Sequence, residues 1–195
     1  MKNDSFWAGE FGHEYHKRNR VEIAARLPFW ESAMQFDPEV RSVMEVGCGP
    51  GWNLLAIHQV HPGVELHGVD VNAPAVEEAR QAGIDAHVCT AAALTSIVER
   101  NSIDLVFTCG MLIHVAPEDL DAAMQAIIDV SAKYVLAVEY AAQREEEVEY
   151  RGFNGKLWRR PFGKLYEAMG LTLLSEGVAG GFDQCAYWLF EKRPS

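Results

Sequence analysis

Short apolar runs recur along the chain and are separated by amphipathic stretches or by clusters of glycine and proline. Such runs predict buried β-strands, here at residues 42–45, 65–70, 84–89, 104–108, 134–140, 171–174 and 185–190. Helical patterns occur at residues 7–20, 27–36, 52–60, 75–82, 117–132 and 161–169. This alternation predicts an α/β fold with a mainly parallel sheet and helices on both faces.

The end of the chain departs from this alternation. Its last two apolar runs are bridged by Gly180 and Gly181 without a helix between them, which predicts an antiparallel hairpin closing the sheet. Before them, residues 141–160 carry glycines, aromatics and both signs of charge without apolar periodicity. A loop this long inside one domain is uncommon and is usually functional or disordered. We expect one domain over residues 1–195, in which residues 141–160 face a substrate.

The most informative stretch is SVMEVGCGPGWNLL, which begins at Ser42. An apolar run ending in Glu45 is followed by Gly47, Gly49 and Gly51 before helix-forming residues resume. The pattern predicts a strand, a tight turn and a helix N-terminus. Glycine accepts positive φ and lacks the Cβ atom that would keep a bound molecule away from the main chain. The turn therefore predicts a ligand that lies against bare backbone.

The spacing of the glycines argues against one class of ligand. A dinucleotide fingerprint needs G-x-G-x-x-G, in which the third glycine lets the helix pack closely. The third position is Trp52 when counted from Gly47 and Leu54 when counted from Gly49, so both registers fail. A nicotinamide-dependent oxidoreductase is therefore the weaker alternative.

The spacing acid-x-G-x-G-x-G, which starts at Glu45, resembles motif I of the class I S-adenosylmethionine-dependent methyltransferases. The resemblance implies the Rossmann-like fold of that class, a seven-stranded sheet, S-adenosylmethionine as cofactor and S-adenosylhomocysteine as product. It also implies that Glu45 helps to place the methionine amino group. Contacts with the cofactor are implied for the loop residues Gly47, Cys48, Gly49 and Gly51.

A second acidic residue, Asp70, ends the next predicted strand, 19 residues beyond Gly51. An ionised carboxylate only accepts hydrogen bonds, so at a strand end it suits the two vicinal hydroxyls of a ribose. The alternative is a turn residue before the following helix. Asn72 and Pro74 already supply the cap and first-turn signals of that helix, which favours the ribose role.

At the expected adenine contacts this chain departs from the family's pattern. Methyltransferases of this class often carry an acid and a small residue after the third strand, where this chain has Thr90 and Ala91. The departure leaves adenine recognition to a hydroxyl or to backbone groups. Val71, which follows Asp70, and Cys109, at the end of the fourth strand, complete the expected cofactor contacts.

The N-terminal region allows two interpretations. Trp7, Phe11 and Tyr15 recur every four residues, which puts them on one helical face. The helix either packs these aromatics on the core or belongs to a cap, residues 1–36, over the cofactor. The opening F-G-x-x-Y-x-x-R-N is similar to one found in methyltransferases, and there it implies that Tyr15 and Arg18 approach the methionine carboxylate.

Methyl transfer needs an acceptor held in line with the methyl group, together with a base if a proton must leave. His114 is the first candidate base because it follows the fourth strand at the carboxyl edge of the sheet. A structural loop histidine is the competing interpretation. Tyr140, at the end of the fifth strand, is the second candidate.

The segment 141–160 holds the candidate substrate-binding residues Tyr150, Arg151, Arg159 and Arg160. Arginines of this kind bind a carboxylate or phosphate by paired hydrogen bonds, or form a solvated basic face. Nearly the whole chain resembles methyltransferases associated with pseudaminic acid and surface-polysaccharide biosynthesis. That resemblance implies a hydroxyl, carboxylate or amine acceptor on a sugar or a sugar-like metabolite. A non-catalytic cofactor-binding protein is the other alternative.

Composition narrows the class of partner. The net charge of −11 argues against nucleic acid, whose binding depends on lysine and arginine neutralising phosphates. The sequence has no apolar run near the ~18 residues needed to span a bilayer, and its N-terminus lacks the apolar region of a signal peptide. We therefore expect a small-molecule acceptor and no membrane.

The cysteines and histidines form no recognisable metal-binding or redox motif. The cysteines Cys48, Cys89, Cys109 and Cys185 lie far apart without a C-x-x-C pair, which predicts reduced thiols in a cytoplasmic protein. Three histidines between residues 58 and 67 straddle a helix end and a strand without flanking carboxylates. We expect no metal.

Overall fold

The computed structural model describes residues 2–193, and its central feature is a sheet. In chain order the strands are β1 (Ser42–Val46), β2 (Glu65–Asp70), β3 (Asp85–Val88), β4 (Ile103–Cys109), β5 (Ser131–Tyr140), β6 (Glu146–Glu147), β7 (Trp158–Arg159), β8 (Thr172–Val178) and β9 (Cys185–Glu191). Within residues 2–193, seven of them form one sheet in the order β3-β2-β1-β4-β5-β9-β8. Strands β1 to β5 are parallel, and β9 runs antiparallel to both β5 and β8.

The predicted fold class, including the antiparallel C-terminal hairpin, is confirmed by this strand order. Parallel strands covered on both faces need apolar side chains on both sides. β1 is buried at every position, and most of β4 is buried as well. The carboxyl ends of β1 to β4 meet at one edge, where the glycine turn begins.

Helices cover the two faces of the sheet. They are α1 (Asp4–Ala8), α2 (Glu10–Arg18), α3 (Ile23–Met34), α4 (Trp52–Val60), α5 (Ala73–Gln81), α6 (Pro117–Val130) and α7 (Phe162–Ala168). Short 3-10 turns lie at Ala91–Ser96 and Leu112–His114. One apolar cluster packs under α6 and α7, and another packs under α3, α4 and α5. In the second cluster Trp30 is fully buried, with its ring 4.8 Å from that of Phe107.

Two predicted helices differ from the observed ones. The predicted helix 7–20 is broken by Gly9, whose extended backbone separates α1 from α2. The second helix, α3, starts four residues before the predicted residue 27 and contains Pro28 in its interior. The buried side chains of this helix, Trp30 and Met34, hold it against the sheet, so packing overrides the local signal of the proline.

The segment 141–160, predicted as a loop without regular structure, contains a small hairpin. β6 pairs with β7 in an antiparallel two-stranded sheet. Strands of two residues carry no readable alternation, so the sequence pattern had no means of indicating them. No helix among residues 2–193 has the length and apolar character needed to cross a membrane.

The glycine turn has the backbone that its sequence predicts. Gly47, Gly49 and Gly51 all have positive φ, at 83°, 51° and 85°. Gly51 also precedes α4, and a Cβ atom on it would collide with the Cδ1 atom of the buried Ile84. This glycine therefore serves close packing of the turn against the residue that precedes β3.

We expect Gly51→Ala to destabilise the fold more than Gly83→Ala. Both glycines have similar φ, 85° and 88°, but a Cβ atom on Gly83 would meet nothing within 4 Å. Gly83→Ala should lower the free energy of unfolding by about 1 kcal/mol for backbone strain alone. Gly51→Ala should cost a further ~1–2 kcal/mol for overpacking.

Urea denaturation of the two variants measures this difference directly. Equal losses of unfolding free energy would show that Ile84 moves aside and that packing does not require glycine at position 51.

Candidate functional site

A main cavity of about 820 Å³, counting its open mouth, lies at the carboxyl edge of β1 to β4. Its walls combine a mostly apolar surface with few polar groups. They are formed by Asn3, Asp4, Trp7, Tyr15, His16, Val46, Gly47, Asp70, Val71, Cys89, Ala91, Cys109, Gly110, Met111, His114, Val115 and Ala116.

A smaller loop cavity of about 440 Å³ lies against the other side of the glycine turn. It shares Tyr15, His16, Gly47 and Cys109 with the main cavity, so the two spaces adjoin. Its other walls come from the turn and from the helices beside it. They are formed by Asn19, Val21, Arg26, Glu45, Cys48, Gly49, Pro50, Trp52 and Asn53.

Most of the predicted cofactor residues line one of these cavities, and three do not. The residues that line a cavity are Tyr15, Glu45, Gly47, Cys48, Gly49, Asp70, Val71, Ala91 and Cys109. Gly51 acts in packing, as described above. Thr90 lies outside the walls, and its neighbour Cys89 lines the main cavity instead.

Arg18 is the third residue outside the walls, and its position is at odds with its expected contact. It is exposed at the end of α2, with its guanidinium 5.5 Å from the centre of the Phe11 ring. Arg26 of α3 lines the loop cavity in its place. The sequence carried no signal for Arg26, because α3 has no motif and the predicted helix began after it.

Asp70 sits at the end of β2 with its carboxylate fixed by the backbone. Oδ2 accepts a hydrogen bond from the Gly49 amide at 2.8 Å, and Oδ1 accepts one from the Asn72 amide at 2.8 Å. An ionised carboxylate has about four acceptor sites, so each oxygen keeps a lone pair for a ligand. The carboxylate is oriented before any ligand arrives.

Glu45 is a buried acid with half of its carboxyl group unsatisfied. It is 2% exposed, and Oε1 accepts a hydrogen bond from Nδ2 of Asn53 at 2.6 Å. Oε2 has no partner among the described residues. Burial raises the pKa of Glu45 to about 8, against the smaller opposing effects of Asn53 and Arg26. A cationic ligand group in the loop cavity would satisfy this oxygen.

Asn53 joins Glu45 to the half-buried guanidinium of Arg26. Its Oδ1 accepts a hydrogen bond from Nη1 of Arg26 at 2.5 Å, and the Arg26 guanidinium lies 4.3 Å from the centre of the Phe182 ring. The Nε atom of Arg26 is buried and has no partner among residues 2–193. The loop cavity therefore offers an unsatisfied acceptor and an unsatisfied donor, which together match a zwitterionic amino acid.

His16 and Met111 show why the turn needs glycines. A Cβ atom on Gly49 would lie 2.7 Å from Cε1 of His16, and one on Gly47 would collide with the Cγ atom of Met111. These side chains close over the turn where a larger residue would exclude them. No motif in the sequence marks His16, which lies beside Tyr15 on α2.

His114 follows β4 and lines the main cavity in a fixed tautomer. Its Nδ1 atom donates to the carbonyl of Lys156 at 2.6 Å, so the lone pair is on Nε2. Its ring lies between Trp7, at 4.4 Å, and Tyr150, at 5.0 Å. Burial lowers the pKa of His114 to about 4. The side chain is therefore neutral at pH 7 and is a weak base.

The backbone that carries His114 is held by Glu139 of β5. This fully buried carboxylate accepts hydrogen bonds from the amides of Met111, Leu112 and Ile113, at 3.2, 3.0 and 3.3 Å. Burial raises the pKa of Glu139 to about 7, although the three amides favour its ionised form. Glu139 thus holds the 3-10 turn after β4 through the backbone amides of the turn.

Arg160 fixes the same turn from its carbonyl side. It is fully buried and donates to the carbonyls of Leu112 and Val115, at 2.9 and 2.8 Å, and to Oε2 of Glu145 at 2.7 Å. This placement is at odds with the expected substrate contact, because the guanidinium faces the protein interior. The turn that bears His114 is therefore held by hydrogen bonds from two buried side chains, Glu139 and Arg160.

The other predicted substrate residues lie around the β6–β7 hairpin. Arg151 is exposed with φ of 52° and donates to Oδ1 of Asn19 at 3.3 Å. Arg159 is exposed above the ring of Tyr140, at 5.8 Å. The Tyr140 hydroxyl donates to Asp183 at 3.4 Å. Burial and Asp183 raise the pKa of Tyr140 to about 12, so it is protonated at neutral pH.

Asn3 connects the N-terminal helices to the hairpin. Its side chain is buried, and Nδ2 donates to the carbonyls of His114 and Gly155, both at 3.0 Å. Its Oδ1 accepts a hydrogen bond from Nζ of Lys156 at 2.7 Å. An aromatic contact, Phe6 with Phe153 at 5.2 Å, lies beside this junction. The cavity is therefore covered by two segments that are bonded to each other.

The thiols and metal-binding groups show no additional site among the described residues. Cys48 is buried, and its burial raises the pKa of the thiol well above the usual value, so the thiol is neutral. Within residues 2–193 no group of three or more histidine, cysteine or acidic side chains is arranged to hold a metal ion.

Comparison with known protein families gives a match over the part of the chain that contains the glycine turn. Residues 43–133, just under half of the chain, match the family model described as a methyltransferase domain. That segment includes Glu45, the glycine turn, Asp70 and His114.

Curated relatives are similar over part of their length. One is methyltransferase ungE' of Aspergillus campestris, 36% identical over 34% of this chain and 22% of that protein. Another is the trans-aconitate 2-methyltransferase of Escherichia coli, 26% identical over 63% of this chain and 44% of that protein. The chain thus spans less than half the length of these two relatives.

A solved structure shows that the fold is the Rossmann-like methyltransferase fold. It is the Burkholderia thailandensis 1,6-didemethyltoxoflavin-N1-methyltransferase, which holds its substrate and S-adenosylhomocysteine. The TM-score is 0.75 at 14% identity, over 95% of this chain and 86% of that one.

We expect Arg160→Ala to destabilise the protein far more than Arg159→Ala. Removing the Arg160 side chain takes a donor from the carbonyls of Leu112 and Val115, and Leu112 keeps only its bond from the Val115 amide. The loss should lower the unfolding free energy by about 3 kcal/mol. Arg159 is the adjacent exposed residue, and its loss should change that energy by no more than about 0.5 kcal/mol.

Chemical denaturation of both variants tests the expectation. A loss of under 1 kcal/mol for Arg160→Ala would mean that water donates to these carbonyls in its place without cost, and that the turn does not depend on Arg160.

Proposed function

We propose that this chain binds S-adenosylmethionine and transfers its methyl group to a small-molecule acceptor. The proposal rests mainly on one observation: two adjoining cavities whose polar groups match the two ends of that cofactor. The unsatisfied Glu45 and Arg26 atoms suit its amino acid group. Asp70, which is oriented by two backbone amides, suits its ribose hydroxyls.

Each cofactor moiety has its proposed residues. Glu45 would take the ammonium group, and Arg26 would take the carboxylate together with Tyr15. Gly47, Cys48 and Gly49 would allow the methionine moiety to lie against backbone. Val71, Ala91 and Cys109 would line the space for the rest of the molecule. The cofactor-bound Burkholderia thailandensis neighbour supports this arrangement through its shared fold.

The bound cofactor supplies an electrophilic methyl group, and the residues of this chain position the acceptor. We propose that residues 2–36 form a cap over the cofactor and that residues 141–160 face the acceptor. An acceptor atom must approach in line, at about 3 to 3.5 Å from the methyl carbon. The bonded junction at Asn3 supports this arrangement, because it ties the two segments to each other beside the cavity.

His114 and Tyr140 have limited capacity as bases. A neutral imidazole with a pKa of about 4 accepts a proton only weakly, and Tyr140, with a pKa of about 12, is a hydrogen-bond donor at pH 7. His114 would therefore orient the acceptor through the Nε2 lone pair. A carboxylate acceptor makes the smallest demand on such a residue, because it has no proton to lose.

The acceptor class that we propose is a hydroxyl, carboxylate or amine of a sugar or sugar-like metabolite, with a role in surface-polysaccharide biosynthesis. Tyr150 and the exposed Arg151 and Arg159 are the proposed contacts for its charged groups. The net charge of −11 supports a small molecule over a nucleic acid. The free cysteines of the described chain fit a reducing compartment, and we propose the cytoplasm.

We expect Asp70→Ala to weaken binding of S-adenosylhomocysteine at least about 50-fold, since it removes two hydrogen bonds to a charged acceptor. Asp85→Ala is the matched control, because Asp85 is an exposed acid on the neighbouring strand outside both cavities. His114→Ala should retain binding within about threefold and slow methyl transfer.

Calorimetric titration of the full chain measures the three affinities. No binding to the unaltered protein, or equal binding by the Asp70 variant, would remove the cofactor assignment. Binding without turnover on any sugar-acid or nucleotide-sugar acceptor would indicate a non-catalytic binding protein instead.

We also expect cofactor binding to release a proton near pH 7. Glu45, with a pKa of about 8, is mostly protonated in the free protein, and a ligand ammonium beside it should drive it to ionise. Close to one proton should leave per S-adenosylhomocysteine bound, and Glu45→Gln should abolish the release.

Titrations in buffers of different ionisation enthalpy count the proton. The control is Glu65→Gln, an exposed acid on β2 that should leave the count unchanged. The same proton release in Glu45→Gln would contradict the proposed role of Glu45.

A further inference from the structure

A third cavity, of about 1040 Å³ counting its open mouth, lies between α2 and the start of α5. One wall carries basic side chains from α2 and the residues that follow it, and these are His13, His16, Lys17 and Arg20. The opposite wall comes from the start of α5 and includes Asn72, Pro74, Ala75 and Glu78. We call this space the basic cavity.

Helix α2 lies between the basic cavity and the aromatic side of the main cavity. The four basic residues follow the i, i+3, i+4, i+7 spacing of one helical face. Phe11 and Tyr15 lie on the opposite face, where each ring is 5.4 Å from the ring of Trp7. A ligand in the basic cavity would therefore lie across α2 from an acceptor beside His114.

The basic wall carries polar groups that the rest of the chain leaves available. The Nε2 atom of His13 is buried and has no hydrogen-bond partner among residues 2–193. Arg20 is exposed and forms no ion pair within the described part of the chain. Lys17 pairs with Glu14 of its own helix at 2.9 Å, and both side chains face solvent. Such a surface pair contributes little to stability, so Lys17 is free to exchange it for a ligand.

The charges around the basic cavity favour an anion, although the chain as a whole carries a net charge of −11. Among the described residues that line it, Lys17 and Arg20 are opposed by one acid, Glu78. Burial lowers the pKa of His16, against the opposing effects of Asp70 and Glu78, so at pH 7 its ring is neutral and has one N–H to donate. The cavity therefore offers two cations and two imidazoles to a negatively charged group.

We propose that the basic cavity binds the phosphate group of a small molecule. A phosphate presents oxygens in several directions, so it can accept from the Arg20 guanidinium, the Lys17 ammonium and a histidine N–H at once. A carboxylate has two oxygens in one plane and would leave some of these donors unused. The net charge of the chain opposes a nucleic acid as the source of the phosphate. This site goes beyond the proposed function and does not depend on it.

His16 connects the basic cavity to the proposed cofactor site. It lines the basic, main and loop cavities, and its Cε1 atom lies 2.7 Å from the position of a Cβ atom on Gly49. A phosphate that accepts a hydrogen bond from His16 would hold this ring against the glycine turn. Phosphate and cofactor should then each strengthen the binding of the other, because such coupling is reciprocal. This coupling, unlike the site itself, rests on the proposed function.

Calorimetric titration of the full chain with inorganic phosphate tests the site. Arg20→Gln and Lys17→Gln should each weaken binding at least about fivefold, because each removes a charged donor. Both positions are exposed, so these substitutions should leave folding unchanged. Glu78→Gln should strengthen binding about twofold or more, because it removes the opposing charge.

Arg18→Gln is the matched control. Arg18 is an exposed residue of the same helix with the same charge, and it lies outside the basic cavity. Its substitution should change phosphate affinity by less than about twofold. Equal weakening in the Arg18 and Arg20 variants would show that phosphate responds only to overall charge, and would overturn the inference. Acetate that binds as tightly as phosphate at equal ionic strength would also overturn it.

A second titration measures the coupling through His16. Saturating phosphate should tighten binding of S-adenosylhomocysteine about threefold or more relative to chloride at the same ionic strength, and His16→Ala should abolish this ratio. An unchanged affinity in the unaltered protein would overturn the coupling. If phosphate binds but S-adenosylhomocysteine does not, the proposed function fails while the phosphate site stands.

Discussion

The turn after β4 depends on two buried charges that meet it from opposite sides. Glu139 takes the amides of residues 111–113, and Arg160 takes the carbonyls of Leu112 and Val115. Leu112, Ile113 and Val115 of this turn are buried, and unpaired buried backbone groups are costly. This clamp sets the position of Met111 and His114, and therefore one wall of the main cavity. The segment of the β6–β7 hairpin contacts that wall through Lys156, and the N-terminal helices contact it through Asn3.

The sheet and its glycine turn could be predicted from the sequence, because their determinants are local. The bounds predicted for β2 and for α4 equal the observed ones, and Asp70 lies at the cavity where strand topology places it. A strand that is buried on both faces, a run of glycines and a helix start are all visible within a few adjacent residues. The hydrogen bonds that orient Asp70 also have local donors: the amide of Gly49 in the glycine turn and the amide of Asn72, two residues after Asp70.

The rest of the site could not be predicted, because its contacts join distant segments. Arg26 reaches Asn53 from another helix, and Asn3 reaches His114 across 111 residues. Three neighbouring arginines looked alike in sequence, yet Arg160 is fully buried while Arg151 and Arg159 are exposed. The orientation of Arg159 and Arg160 is set at the two-residue strand β7. A strand this short has no periodicity from which the sequence could show which arginine points into the interior. The prediction of one helix over residues 7–20 was wrong for a similar reason. The break at Gly9 allows α1 to contact distant parts of the chain.

The side chain of Asn3 has a consequence for how the cavity opens. It is bonded at once to the turn after β4, to the hairpin at Gly155 and to Lys156. Moving the N-terminal helix away breaks all three bonds together, and moving the hairpin away breaks two of them. The two covers of the cavity are therefore coupled through one buried side chain, and opening either of them costs hydrogen bonds that the other also uses.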